Sequence, residues 1–140
     1  MTIQTTPHLN FRGDARAALE LYQSVFGGEL VIATHADTGS TDPATADHVA
    51  WGQVAAENGF RVMAFDVWPH LAWDPGTEAS YVSLRGDEAA ELTRYWDGLA
   101  DGATIHQPLE ASPWSPLYGK LTDRFGVIWV LDLAVAYPQD

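Results

Sequence analysis

His8-Leu9-Asn10-Phe11-Arg12-Gly13-Asp14, followed by Ala17, Leu19 and Tyr22, returns as Tyr81-Val82-Ser83-Leu84-Arg85-Gly86-Asp87, followed by Ala90, Leu92 and Tyr95. The spacing between the copies is constant at 73 residues, from Arg12 to Arg85. A second echo sets Val62-Met63-Ala64-Phe65-Asp66-Val67 against Ile128-Trp129-Val130-Leu131-Asp132-Leu133 at a spacing of 66. A chain that repeats itself in this way carries one supersecondary unit twice, with the first copy seven residues longer internally.

Each Arg-Gly-Asp reads as a strand end, a flexible glycine and a carboxylate able to accept from the free N–H groups that open a helix. After Asp14, apolar Ala18, Leu19, Tyr22, Val25 and Phe26 fall on one helical face that ends at Gly27-Gly28. After Asp87, Leu92, Tyr95, Trp96 and Leu99 do the same before Asp101-Gly102. Strand-like runs cover about Gln4–Phe11, Glu29–Ala36, His48–Glu57 and Phe60–Val67, then Ala79–Arg85, Ala103–Leu109, Tyr118–Thr122 and Val127–Ala134. Asn58-Gly59 signals a hairpin, and Asp123-Arg124-Phe125-Gly126 the last turn. The expected fold class is therefore α+β: one domain over 1–140, built of two tandem βαβββ units at about 4–67 and 79–134. Asp37–Asp47, rich in Thr, Asp, Gly and Pro, reads as a mobile loop holding the extra residues.

Composition narrows the function. At 140 residues and 46% apolar the chain can bury a core, and it has no apolar run near the roughly 20 residues of a membrane span. The N-terminus lacks the basic start and apolar stretch of a secretory signal, so the reading is a cytoplasmic protein with no membrane partner. Zero cysteines remove disulfides, thiol nucleophiles and thiolate zinc sites, leaving His, Asp, Glu and Gln as metal ligands. A formal charge of −12, from 19 acidic against 7 basic residues with no basic cluster, would repel a phosphate backbone and argues against nucleic acid. No nucleophile elbow, P-loop or dinucleotide fingerprint is present.

Tandem βαβββ units resemble the vicinal oxygen chelate superfamily, which includes glyoxalase I, extradiol dioxygenases and bleomycin-resistance proteins. Thr6-Pro7-His8-Leu9-Asn10-Phe11, Phe26-Gly27-Gly28-Glu29-Leu30, Met63-Ala64-Phe65-Asp66 and Tyr118 through Trp129 resemble its PhnB-like branch. The resemblance implies two mixed sheets curled into a cup with the helices on the outer face, commonly completed across a homodimer. It also implies metal-ligand positions on the first and last strands of each repeat, here His8, Ala64, Tyr81 and Val130. Only His8 is a good ligand, so no cofactor is expected, the alternative being a divalent metal held through His8.

Period-two alternation supports a cup independently. Leu9, Phe11, Met63, Phe65, Val82, Leu84, Trp129 and Leu131 share one parity, large and apolar, expected beneath the helices. The opposite parity holds His8, Asn10, Ala64, Asp66, Tyr81, Ser83, Val130 and Asp132, expected to line a wet cavity because an amide and carboxylates need solvent or partners. Trp51 and Gln53 would alternate toward the same side, and the aromatics Trp68, Trp73 and Trp114 lie in loops, where they would close over a ligand or bury against a second subunit. Asp66 and Asp132 read as symmetry mates able to act as paired carboxylates. His35, His48, His70 and His106 have no ligand spacing and read as surface or loop residues. Three functions follow: a metal-independent small-molecule binding protein; a divalent-metal lyase, isomerase or dioxygenase using His8; or a homodimeric interaction domain with no catalytic site.

Overall fold

The computed structural model describes residues 3–135. The chain divides into two compact units, Met1–Gly76 and Thr77–Asp140. Unit 1 contains β1 (His8–Phe11), α1 (Ala15–Phe26), β2 (Glu29–Thr34), β3 (Val49–Ala55) and β4 (Arg61–Asp66). Unit 2 contains β5 (Val82–Gly86), α2 (Ala89–Ala100), β6 (Thr104–Ser112), β7 (Ser115–Thr122) and β8 (Ile128–Leu133). The sheets are ordered β1-β4-β3-β2 and β5-β8-β7-β6, each with its first and last strands parallel and its other pairs antiparallel. The fold class is α+β, with one helix on one face of each mixed sheet.

Helix packing follows the apolar stripes. Ala15, Ala18, Leu19, Tyr22 and Phe26 of α1 are buried with Phe11, Val54, Val62 and Ala64 of the sheet. Leu92, Tyr95, Trp96 and Leu99 of α2 are buried with Leu121, Trp129 and Leu131. Each Leu, Val or Phe side chain among these contributes about 1.5–3 kcal/mol when fully removed from water. Gly119 lets α2 come close, because a Cβ there would stand 2.8 Å from the Trp96 ring.

The two units do not share the register that the sequence echoes suggest. Leu9 lies opposite Ala64, and Val82, 73 positions after Leu9, lies opposite Trp129. The last strands are therefore equivalent at a spacing of 65, not 66, and the counterpart of Asp66 is Leu131. A one-residue slip exchanges the faces of a strand. Ala64 and Asp66 accordingly point under α1, while Met63 and Phe65 take the open face. The alternation expected for β1, β5 and β8 matches the observed faces; in β4 it is reversed.

Turns differ from expectation where side chains intervene. β6 and β7 form one long hairpin whose tip is Pro113-Trp114, so Trp114 sits on a tight turn and not in a broad loop. The Ser115 hydroxyl donates to Leu117 O at 2.8 Å and lies 3.1 Å from Leu133 O, tying the start of β7 to β8. The Asp37–Asp47 segment is a succession of hydrogen-bonded turns. Thr34 N–H donates to the Asp37 carboxylate at 2.9 Å, Asp37 N–H donates to the Thr34 hydroxyl, and Ala36 N–H reaches Ala46 O. Among the described residues no helix is long and apolar enough to cross a membrane.

Candidate functional site

On each sheet the face away from the helix is open, and the pairing register places its residues in rows. In unit 1 one row runs Val31, Gln53, Met63, His8. The adjacent row carries Ala33 and Trp51 on one side and Phe65 and Asn10 on the other. His8 Nδ1 lies 2.9 Å from the Asn10 amide oxygen, and its ring meets the Phe65 edge at 5.1 Å. Arg61 donates to the Gln53 amide oxygen at 3.3 Å. The Trp73 indole donates to Asn10 O, which brings that loop aromatic to the end of β1. The result is an apolar centre of Met63, Phe65 and Trp51 flanked by two polar pairs, His8–Asn10 and Gln53–Arg61.

In unit 2 one row runs Gln107, Lys120, Val130, Ser83, and the next Glu110, Tyr118, Asp132, Arg85. Arg85 holds Asp132 through both carboxylate oxygens, with Nη2 to Oδ2 at 2.9 Å. Lys120 Nζ donates to Glu78 at 2.9 and 3.2 Å and to the Tyr81 hydroxyl at 3.0 Å, and it stands 4.4 Å above the Tyr81 ring. The Tyr81 hydroxyl also donates to Glu78. Glu78 has φ +56°, the only positive value outside glycine among the described residues. That conformation costs an ordinary residue about 1–2 kcal/mol, which offsets part of what the Glu78 contacts contribute. At the hairpin tip Trp114, 63% exposed, packs edge-on against Tyr118. Lys120 and Glu78 escaped the sequence reading because neither belongs to a repeated phrase; Lys120 on a strand, two residues before Thr122, was the available signal.

Two predicted residues are structural. Asp66, 1% exposed, accepts from the N–H groups of Gly13 at 2.6 Å, Ala15 at 3.1 Å and Val49 at 2.8 Å. It caps α1, the role expected of Asp14, whose own side chain makes no cap bond. Asp66 and Asp132 are not equivalent positions of the two units, and each carboxylate is already engaged, Asp66 by backbone amides and Asp132 by the Arg85 guanidinium. Ala64 is fully buried beneath α1 and lines no cavity. His35 also departs from expectation, being fully buried, stacked on Trp68 at 3.7 Å and bonded through Nε2 to Asp66 O. Trp68 is thereby engaged in packing.

The donor chemistry does not fit a chelated divalent ion. On the open face of β4 the ligand position falls to Met63 or Phe65, a thioether or a phenyl ring, beside the single imidazole of His8. In unit 2 Val130 has no lone pair, and the nearby carboxylates are taken by Lys120 and Arg85. Among the described residues no group of three His, Asp or Glu side chains is placed to hold a metal ion.

Residues 3–131 match the family described as 3-demethylubiquinone-9 3-methyltransferase. The chain belongs to this family. Among relatives of the PhnB-like chain, protein YjdN of Escherichia coli strain K12 is 27% identical, the alignment covering 95% of this chain and 97% of YjdN. The crystal structure of protein PA1353 from Pseudomonas aeruginosa superimposes with a TM-score of 0.85 at 29% identity, over 94% of this chain and 98% of that one. A PhnB protein from Bacillus cereus, described as a putative 3-demethylubiquinone-9 3-methyltransferase, gives a TM-score of 0.74 at 26% identity, over 94% and 100% of the two chains. The PhnB-like sheet pattern thus extends over nearly the whole described chain.

Proposed function

We propose that this chain is a small-molecule binding protein of the glyoxalase/bleomycin-resistance-like type that works without a chelated metal, as a homodimer. The observation carrying the proposal is the composition of the open sheet faces. They combine apolar surface at Met63, Phe65, Trp51 and Val130 with directional donors and acceptors at His8, Asn10, Gln53, Ser83, Tyr81 and Lys120, the mixture that orients small ligands. Exposed Trp73 and Trp114 support a subunit contact.

Methyl transfer has no support from the residues. The turns into α1 and α2 carry one glycine each, at Gly13 and Gly86, where a nucleotide-binding loop needs several, and the Gly13 and Ala15 amides already serve Asp66. The competing reading, a lyase, isomerase or dioxygenase with a divalent metal on His8, is separated by one experiment on protein purified without chelator. Binding without metal gives substoichiometric metal by elemental mass spectrometry, a Tm unchanged by EDTA, and stabilisation by small molecules in a thermal-shift screen. A ligand at one hundred times its Kd adds about 2.7 kcal/mol. One tightly held metal per chain, with a Tm that collapses in EDTA, overturns the proposal.

A further inference from the structure

We propose that Lys120 and Tyr81 form the anchor for a small organic carboxylate, and that the Glu78 carboxylate occupies this anchor as an internal stand-in until the ligand displaces it. The inference rests on the binding reading above and names the ligand class for the open face of unit 2.

Three observations carry it. The first is the donor pair: Lys120 Nζ and the Tyr81 hydroxyl lie 3.0 Å apart and both address the carboxylate of Glu78, so the side chains are already arranged around a carboxylate. The second is the contrast between the two cations of this face. Arg85 is committed to Asp132, a largely buried residue on β8, whereas Lys120 is only 19% exposed and its partner Glu78 is 47% exposed on a segment outside any helix or strand. Of the two carboxylates, Glu78 is the one that can leave. The third is backbone strain: Glu78 holds a left-handed φ of +56°, so letting go relieves the chain while an ordinary surface salt bridge would lose only a weakly favourable contact. A departing Glu78 leaves a partly buried ammonium beside a phenol, with the Ser83 hydroxyl on the same row and Val130 between Ser83 and Lys120 as apolar floor. A carboxylate on a compact apolar body satisfies both parts, and the charge-assisted bond from Lys120 outweighs a neutral one.

The test is titration of wild-type protein, Glu78→Gln and Glu78→Gly with benzoate, and with benzamide as the uncharged isostere, followed by amide NMR shifts at constant ionic strength. Because Glu78 competes for the anchor, both Glu78 variants should bind benzoate at least tenfold more tightly than wild type, with shifts centred on Tyr81, Ser83, Lys120 and Val130. Benzamide should bind at least tenfold more weakly than benzoate. Lys120→Met should abolish benzoate binding in the wild-type and Glu78→Gln backgrounds, with retained spectral dispersion showing that it folds; Lys120→Arg should restore part of it. Unchanged or weaker benzoate binding in the Glu78 variants, equal binding of benzamide, survival of binding in a folded Lys120→Met, or no benzoate binding to any variant overturns the proposal. If one of these outcomes occurs while neutral compounds still stabilise the protein in the thermal-shift screen, the carboxylate anchor falls and the binding function stands.

Discussion

Asp66 and Asp132 show how far identical side chains diverge once their surroundings are known. Asp66, itself 1% exposed, gathers three backbone N–H groups, one from the turn before α1, one from its first residue and one from β3. Asp66→Ala leaves those donors without a partner at roughly 1–3 kcal/mol each, so a loss of at least about 3 kcal/mol is expected in urea unfolding. Asp132→Ala removes a bond to Arg85, whose side chain is 57% exposed and can turn to water; its expected loss is below about 1 kcal/mol. Equal losses for the two variants would show that Asp66 is not the cap. Asp123 does comparable work in unit 2, accepting from the N–H groups of Phe125 and Val127 and from the Trp129 indole. Sequence reading identified Asp123 as part of a turn, because Asp-Arg-Phe-Gly is local. It could not identify Asp66 as a helix cap, since the residue capped lies 51 positions away.

At the scale of elements, the stretch between β2 and β3 is shaped by reciprocal bonds at its entry. The Thr34 backbone N–H, and then its side chain, hold the Asp37 carboxyl below the ordinary aspartate value of 3.8. A depressed folded pKa means that the turn's contribution is complete above the unfolded value and disappears as pH falls through the folded one. An NMR titration of the Asp37 carboxyl should therefore give a midpoint below 3.8, rising toward it in Thr34→Val, which keeps the backbone donor and loses the hydroxyl. A midpoint at or above 3.8 in wild type contradicts the geometry. Helices were legible in advance, because a stripe of Leu, Tyr, Trp and Ala at helical spacing has only one way to be buried. The β4 face was not, because Met63 and Phe65 are as apolar as Val62 and Ala64. Alternation has no contrast to read in such a strand, and hydrogen-bond register decides instead.

For the whole molecule, the formal charge of −12 sets the conditions under which two copies meet. Like-charged subunits repel across a Debye length of about 10 Å at 0.1 M salt, so the proposed homodimer should tighten as ionic strength rises. Light scattering should give a mass near twice 15.3 kDa, with any monomer confined to low salt and low concentration. A mass of one chain at every ionic strength refutes the dimer. The sequence by itself determined the fold class, the two helices and the repeated βαβββ order, since these follow from local periodicity, turn chemistry and the returning His8–Asp14 phrase. It also placed His8, Asn10, Tyr81 and Ser83 on open faces, because their neighbours in the strand are distinctly apolar. Only the tertiary structure decided that Asp66 and Ala64 lie beneath α1, that His35 is interior, and that Lys120 meets Glu78 and Tyr81. Those facts depend on strand register and on contacts between residues dozens of positions apart, and no local pattern encodes which of two equally apolar faces a helix will cover.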